Sequence, residues 1–107
     1  MIPPMDKYLF KTGLAAEIPE GYELQVRPRS GLQCKSGVVA GWGTVDSGYR
    51  GDIGVVLYNF NDDYFKIEKG ARIAQLVLAP VTIAEISETD ELSETARGDG
   101  GFGSTGV

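Results

Sequence analysis

Short apolar runs, frequent turn signals and almost no helical periodicity predict an all-β domain, a sandwich or jelly roll. The chain has 107 residues, 42% of them hydrophobic, which is the length and composition of one domain. At that size only about two thirds of the unfolded surface can be buried, so partner subunits are expected to help.

Residues 7–12, with Tyr8, Leu9 and Phe10, read as the first strand. Residues 22–27 alternate, with Tyr22, Leu24 and Val26 on one face and Glu23, Gln25 and Arg27 on the other. After Pro28-Arg29 there is room for one or two helical turns, with Ser30 in the N-cap position. Residues 53–59 are apolar on both faces, as in a covered central strand. Residues 72–79 behave similarly and stop at Pro80. Turn signals lie between these runs at Pro19-Glu20-Gly21, Asp46-Ser47-Gly48, residues 59–63 and Lys69-Gly70. From about Glu85 the composition changes. Five acids (Glu85, Glu88, Asp90, Glu91, Glu94) precede a stretch, residues 98–106, in which Gly fills five of nine positions. Such a segment cannot build a core of its own. The organisation expected is a β body over residues 1–84 and a flexible Gly-rich arm over residues 85–107. No internal repeat is present.

Ten basic and fifteen acidic residues leave a net charge of -5, which argues against a nucleic-acid-coating surface. The absence of His excludes a Ser-His-Asp triad, a His general base and His-ligated zinc. The single Cys34 excludes an internal disulfide and a four-Cys metal site, and fits a reducing compartment. No apolar run reaches the length of a membrane span, and Met1-Ile2-Pro3-Pro4 lacks the features of a signal peptide. A cytoplasmic or nuclear location, with no membrane partner, is expected. Chemistry is left to carboxylates, arginines, hydroxyls and the backbone.

Five constellations could carry it. All five Arg (27, 29, 50, 72, 97) sit within two positions of Gly, Ser or Pro near element ends, where a planar fork suits an anionic ligand; the alternative is ion pairing with the fifteen acids. Pro28-Arg29-Ser30-Gly31-Leu32 places a hydroxyl and a guanidinium at a helix start, either a phosphate-binding arrangement or an ordinary cap. Residues 41–52 suit a hairpin whose Gly-flanked backbone approaches a planar base. There Tyr49 could pack on a sugar. Asp46 could activate a water or simply cap its own turn. Gly54, within a strong strand, marks close approach of a ligand or another backbone. Gln75 interrupts an apolar strand on the face of Ile73 and Val77, serving a substrate or facing solvent at an edge. Arg97-Gly98-Asp99-Gly100-Gly101-Phe102-Gly103-Ser104-Thr105-Gly106 offers N–H groups, a charge and hydroxyls that can wrap a phosphate, and Phe102 could stack on a base. The alternative there is a low-complexity tail.

In combination these residues resemble the trimeric dUTPase family. Four of its five ordered motifs have counterparts: Pro28-Arg29-Ser30-Gly31-Leu32, residues 43–51, Gly70-Ala71-Arg72-Ile73-Ala74-Gln75-Leu76, and residues 97–106. Connecting stretches agree as well, including Thr12-Gly13-Leu14 and Ile18-Pro19-Glu20-Gly21-Tyr22. The resemblance implies a jelly-roll-like (β-clip) subunit of a threefold homotrimer. Each site would draw on three chains, with the arm closing over a neighbour's site. It implies hydrolysis of dUTP to dUMP and pyrophosphate with Mg2+ carried mainly by the triphosphate. Asp46 would activate water, and Gln75 would help position phosphate and water. Arg29, Ser30 and Gly31 would hold phosphates. Gly43, Thr44 and Val45 would read uracil through their backbone, Tyr49 would lie under the deoxyribose, and Gly54 would leave room beside the base. Phe102 would stack on uracil, while Arg97, Gly103 and Ser104 grip the outer phosphates.

The family's first motif, an Ala-Gly-x-Asp-Leu type segment, has no counterpart in these residues. With it go an N-terminal strand and an aspartate that helps hold hydrated magnesium. A truncated chain, a misassigned start and a shortened protein would each explain this. Ala40 stands where many relatives have an Asn, and Trp42 where small residues or Pro are common. Two other functions stay open from the residues: a nucleotide-binding trimer without turnover, and a dCTP-acting relative of the same fold.

Overall fold

Strand formation follows the apolar alternation closely. The computed structural model describes residues 1–103. Strand β1 (Lys7–Lys11) is followed by β2 (Tyr22–Arg27), helix α1 (Ser30–Ser36), β3 (Val38–Ala40), β4 (Gly43–Val45), β5 (Gly54–Asn59) and β6 (Gln75–Pro80). All strand pairs are antiparallel, and they form two sheets in the orders β1-β5-β3 and β4-β2-β6. The all-β expectation holds.

The core is the space between the inner sheet faces. Val38, Ala40, Val55 and Leu57 meet Val26 and Val45 of the other sheet, joined by Ile2, Ile18 and Ile53 from the connections. Register explains the partition. Leu57 stands opposite both Tyr8 and Ala40, and Val26 opposite both Gly43 and Leu76. Side chains two residues apart share a face, so one fully buried position commits each strand.

Three expectations are corrected. Strand β5 is apolar on both sides but covered on one. Val55, Leu57 and Asn59 are buried, whereas Tyr58 on the other face is 39% exposed. The N-cap of α1 is Arg29, not Ser30, and its side chain makes no cap hydrogen bond. The last strand runs from Gln75 through Pro80 rather than over residues 72–79, because residues 71–74 form no ladder and Pro80 pairs with Tyr22, and it is a largely exposed edge strand rather than a covered one. Strand β3 was not anticipated. Its three residues follow a helix closed by Gly37 in the left-handed region, φ 69°.

Asn59 ties these parts together. Its Nδ2 donates to the carbonyls of Ile2 (3.0 Å), Pro3 (3.1 Å) and Asp63 (2.9 Å). Its Oδ1 accepts from the backbone N–H and the side-chain amide of Asn61, and Asn61 in turn donates to the Ser36 carbonyl at the end of α1. The N-terminal segment is also held by a two-way bridge between Ile2 and Phe65.

Beyond Pro80 no helix or strand is present among the described residues. Ile83, Ile86 and Leu92 are 86–95% exposed. The radius of gyration is 19.0 Å, against about 13 Å for a compact chain of this length. The excess is the extended segment after β6. No described helix is long and apolar enough to cross a membrane.

Replacing Asn59 by Ala is expected to lower stability by roughly 2–4 kcal/mol, since it removes a buried amide that bonds three carbonyls and both N–H groups of Asn61 at once. Denaturant unfolding measures the loss. Hydrogen exchange at the Ile2 and Phe65 amides should accelerate before global unfolding.

Candidate functional site

Strand β4 lies at the edge of its sheet, so one row of its backbone N–H and C=O groups lacks a strand partner. These groups border a cavity of about 220 Å³ lined by Val26, Gly43, Thr44 and Val45 on one side. Asp46, Tyr49, Asp52, Ile53 and Gly54, which lead from β4 into β5, line the other. All of the third motif's expected contributors thus meet at one place.

The connection between Val45 and Gly54 is a turn rather than the expected hairpin, because β4 pairs with β2 and not with residues 49–52. The Tyr49 N–H donates to the Asp46 carbonyl (3.1 Å), which closes the turn. The Tyr49 hydroxyl donates to the Asp52 carbonyl at 2.7 Å, which holds the ring along the loop. Gly51 makes this possible: an added Cβ would lie 2.6 Å from the Tyr49 hydroxyl and 2.8 Å from Cζ. Arg50 donates to the Ser47 carbonyl and pairs with Glu17 at 3.6 Å. Asp46 itself is exposed, following buried Val45. At Gly54, a Cβ would meet Leu9 Cδ1 at 2.8 Å, so the room left by this glycine is shared with the neighbouring strand.

A second group forms where β2 ends. Arg29 caps α1 without a side-chain bond, Ser30 and Gly31 open its first turn, and a Cβ on Gly31 would meet open space. Gln75, in register with Arg27, donates from Nε2 to the Pro28 carbonyl at 3.0 Å. The second and fourth motifs are therefore joined by a side chain. Gln75 is exposed at the start of an edge strand, as one of the two readings expected.

A third group lies on the arm. Arg97 Nε donates to the Gly100 carbonyl at 2.6 Å, bending residues 97–100 into a turn. Phe102 is fully exposed and has a positive φ of 51°. Gly103 follows at φ 88°. Ser104, Thr105 and Gly106 lie outside the described residues.

The three groups do not merge. None of Arg29, Ser30, Gly31, Gln75, Arg97, Phe102 or Gly103 lines the cavity beside Asp46. Among the described residues, Arg50 is the one arginine in an ion pair. Arg27 instead bonds Gln25 through Nε and lies over the Trp42 ring, 5.2 Å from its centroid. No group of three or more acidic or Cys side chains among the described residues could hold a metal ion.

Sequence reading missed Gly51 and Asp52 as contributors. The available signal was a glycine two positions after an aromatic residue in a polar loop, where a ring needs space.

A family model described as dUTPase matches residues 1–106. A deoxyuridine 5'-triphosphate nucleotidohydrolase of Rhizobium etli is 56% identical over 108 residues, covering 99% of this chain and 69% of the relative. One from Hydrogenobaculum sp. is 54% identical over 109 residues, covering 100% of this chain and 76% of the relative. Among solved structures, a single-site variant of the Staphylococcus bacteriophage 80alpha dUTPase with dUpNHpp superposes with a TM-score of 0.89 at 34% identity. It covers 99% of this chain and 79% of that one.

Substituting Ala for Gly51 should displace the Tyr49 ring and break its bond to the Asp52 carbonyl. The expected cost is about 1 kcal/mol, or several degrees in Tm. Calorimetry measures it, and the Tyr49 ring resonances should shift while those of the Asn59 side chain do not.

Proposed function

We propose that this chain, which belongs to the dUTPase family, hydrolyses dUTP to dUMP and pyrophosphate, limiting uracil in DNA and supplying dUMP. The observation that carries the reading is the unpartnered backbone edge of β4, which borders a cavity shared with Asp46 and Tyr49. A planar base can pair with such an edge as a strand would, and uracil presents both donors and acceptors.

In the proposed mechanism, Gly43, Thr44 and Val45 engage uracil through backbone groups, and Gly54 lies beside the base. Tyr49, held by its hydroxyl and given room by Gly51, lies under the deoxyribose and leaves no space for a 2′-hydroxyl. Asp46 takes a proton from water as the oxygen attacks the α-phosphorus, and the bond to the β-phosphate breaks to release pyrophosphate. Without His in the chain, a carboxylate is the available base. Arg29, Ser30 and Gly31 hold phosphate oxygens, and Gln75 positions phosphate and water. Arg97, Gly103 and Ser104 grip the outer phosphates while Phe102 stacks on the base. Solved structures of the phage relative include variants at an aspartate and at a tyrosine three positions further on, the spacing of Asp46 and Tyr49. The substrate would be the magnesium complex of dUTP, its metal carried mainly by the triphosphate and neutralising charge there.

The active form is a homotrimer, each site taking the cavity from one chain, the Arg29–Gln75 group from a second and the arm of residues 85–107 from a third. This division is supported by the separation of the three groups within one chain and by the exposed apolar side chains of Leu78, Ile83 and Ile86 in and after the last strand. The free thiol of Cys34 fits a cytoplasmic or nuclear setting.

Asp46→Asn should lower kcat for dUTP by about 10²- to 10⁴-fold with little change in affinity for dUpNHpp. Pyrophosphate release and calorimetric titration test this. An Asp46→Asn chain that keeps wild-type turnover would remove Asp46 as the base.

Subunit sharing predicts complementation. An equal mixture of Asp46→Asn and Arg97→Ala chains, unfolded and refolded together, should regain activity in about a quarter of its sites. Mixing without refolding should regain none.

A further inference from the structure

The Asp52 side chain has no part in the mechanism proposed above, yet it sits at the junction of the Tyr49 loop and the segment around Gly13. Its carboxylate Oδ1 accepts the Gly13 N–H at 2.7 Å. Its backbone carbonyl accepts the Tyr49 hydroxyl at 2.7 Å. The next residue continues the same seam. The Ile53 N–H donates to the Leu14 carbonyl (2.8 Å), and the Ile53 carbonyl accepts from the Thr12 hydroxyl (2.6 Å) and the Thr12 N–H (3.3 Å). Gly13 is in the left-handed region, φ 76°, so its N–H is aimed by a backbone conformation that other residues adopt with strain.

The second carboxylate oxygen, Oδ2, is the one buried side-chain polar atom among the described residues without a hydrogen-bond partner. Asp52 also lines the cavity that contains Asp46 and Tyr49, so the one bond of its carboxylate ties the cavity wall to Gly13.

We infer that Asp52 is a positioning and specificity-determining residue: it clamps the Tyr49 loop to the Thr12-Gly13-Leu14 segment and thereby sets how tightly the site closes on deoxyribose and how strongly it rejects ribose. This rests on the proposed dUTP hydrolysis, with Tyr49 under the sugar. Asp52 acts through Tyr49, so its removal changes nucleotide affinity and sugar discrimination ahead of the chemical step. A residue serving stability alone would alter neither selectively.

Steady-state kinetics on the full chain with dUTP and UTP test this, using Asp52→Ala, Asp52→Asn, Tyr49→Phe and the Tyr49→Phe/Asp52→Ala double variant. Asp52→Ala should raise KM for dUTP roughly tenfold, as expected for one charge-assisted hydrogen bond. Its kcat should stay within about twofold, and the dUTP-over-UTP ratio of kcat/KM should narrow. Asp52→Asn keeps the acceptor toward Gly13 and should restore near-wild-type values. Tyr49→Phe should show the same KM-selective loss, and the double variant should be no worse than the poorer single one. An Asp52→Ala chain with wild-type KM and ratio overturns the inference, as does Asp52→Asn behaving like Asp52→Ala. If Asp52→Ala does not fold, an unchanged KM in Tyr49→Phe overturns it. Absence of wild-type turnover would instead refute the proposed hydrolysis. In that case the affinities of the same variants for dUpNHpp, with the UTP analogue as comparison, decide the role of Asp52.

Discussion

The structure depends most on the burial of one face of β5. Val55 and Leu57 close the core, and Asn59 at the end of the strand carries a carboxamide satisfied at both ends. A buried amide with all its partners is stabilising, whereas one with some missing is a fault line. Through this group the N-terminal residues, the end of α1 and the loop after β5 are held to one strand. The opposite end of β5 begins at the cavity wall, in Asp52, Ile53 and Gly54. The strand thus joins a polar hub to the wall of the cavity, and the placement of that wall derives from the packing of the strand.

Legibility in the sequence followed how local each determinant is. Residues 22–27 could be read to the residue because alternation and a preceding turn act within a few positions. The start of β6 could not. Residues 72–74 are as apolar in pattern as those after them, and only the partner strand decides where pairing begins. The outer face of β5 was misread for a related reason: apolar residues on both faces signal cover, but one chain supplies cover for one face. Strand β3 is too short to carry a periodicity, and its existence follows from pairing with β5.

The site was legible in its residues and less so in its architecture. Gly-flanked Asp46 and the nearby Tyr49 carry local signals, and both line the cavity. That Gln75 bonds the Pro28 carbonyl across 47 positions carries none, since it arises from the register of β2 with β6. Gly51 and Asp52 were harder to read for another reason. Their roles concern where a ring and a loop rest, and beyond the glycine two positions after Tyr49 such contacts leave little trace in the sequence.

Trp42 is the chain's single tryptophan, 70% exposed, lying over the Arg27 guanidinium and directly preceding Gly43 at the cavity. An indole's emission depends on the charges and solvent around it. The protein therefore carries an intrinsic fluorophore one residue from the unpartnered edge of β4. Any rearrangement of β4 alters the environment of that fluorophore, so occupancy becomes an optical quantity that can be followed in real time without a label.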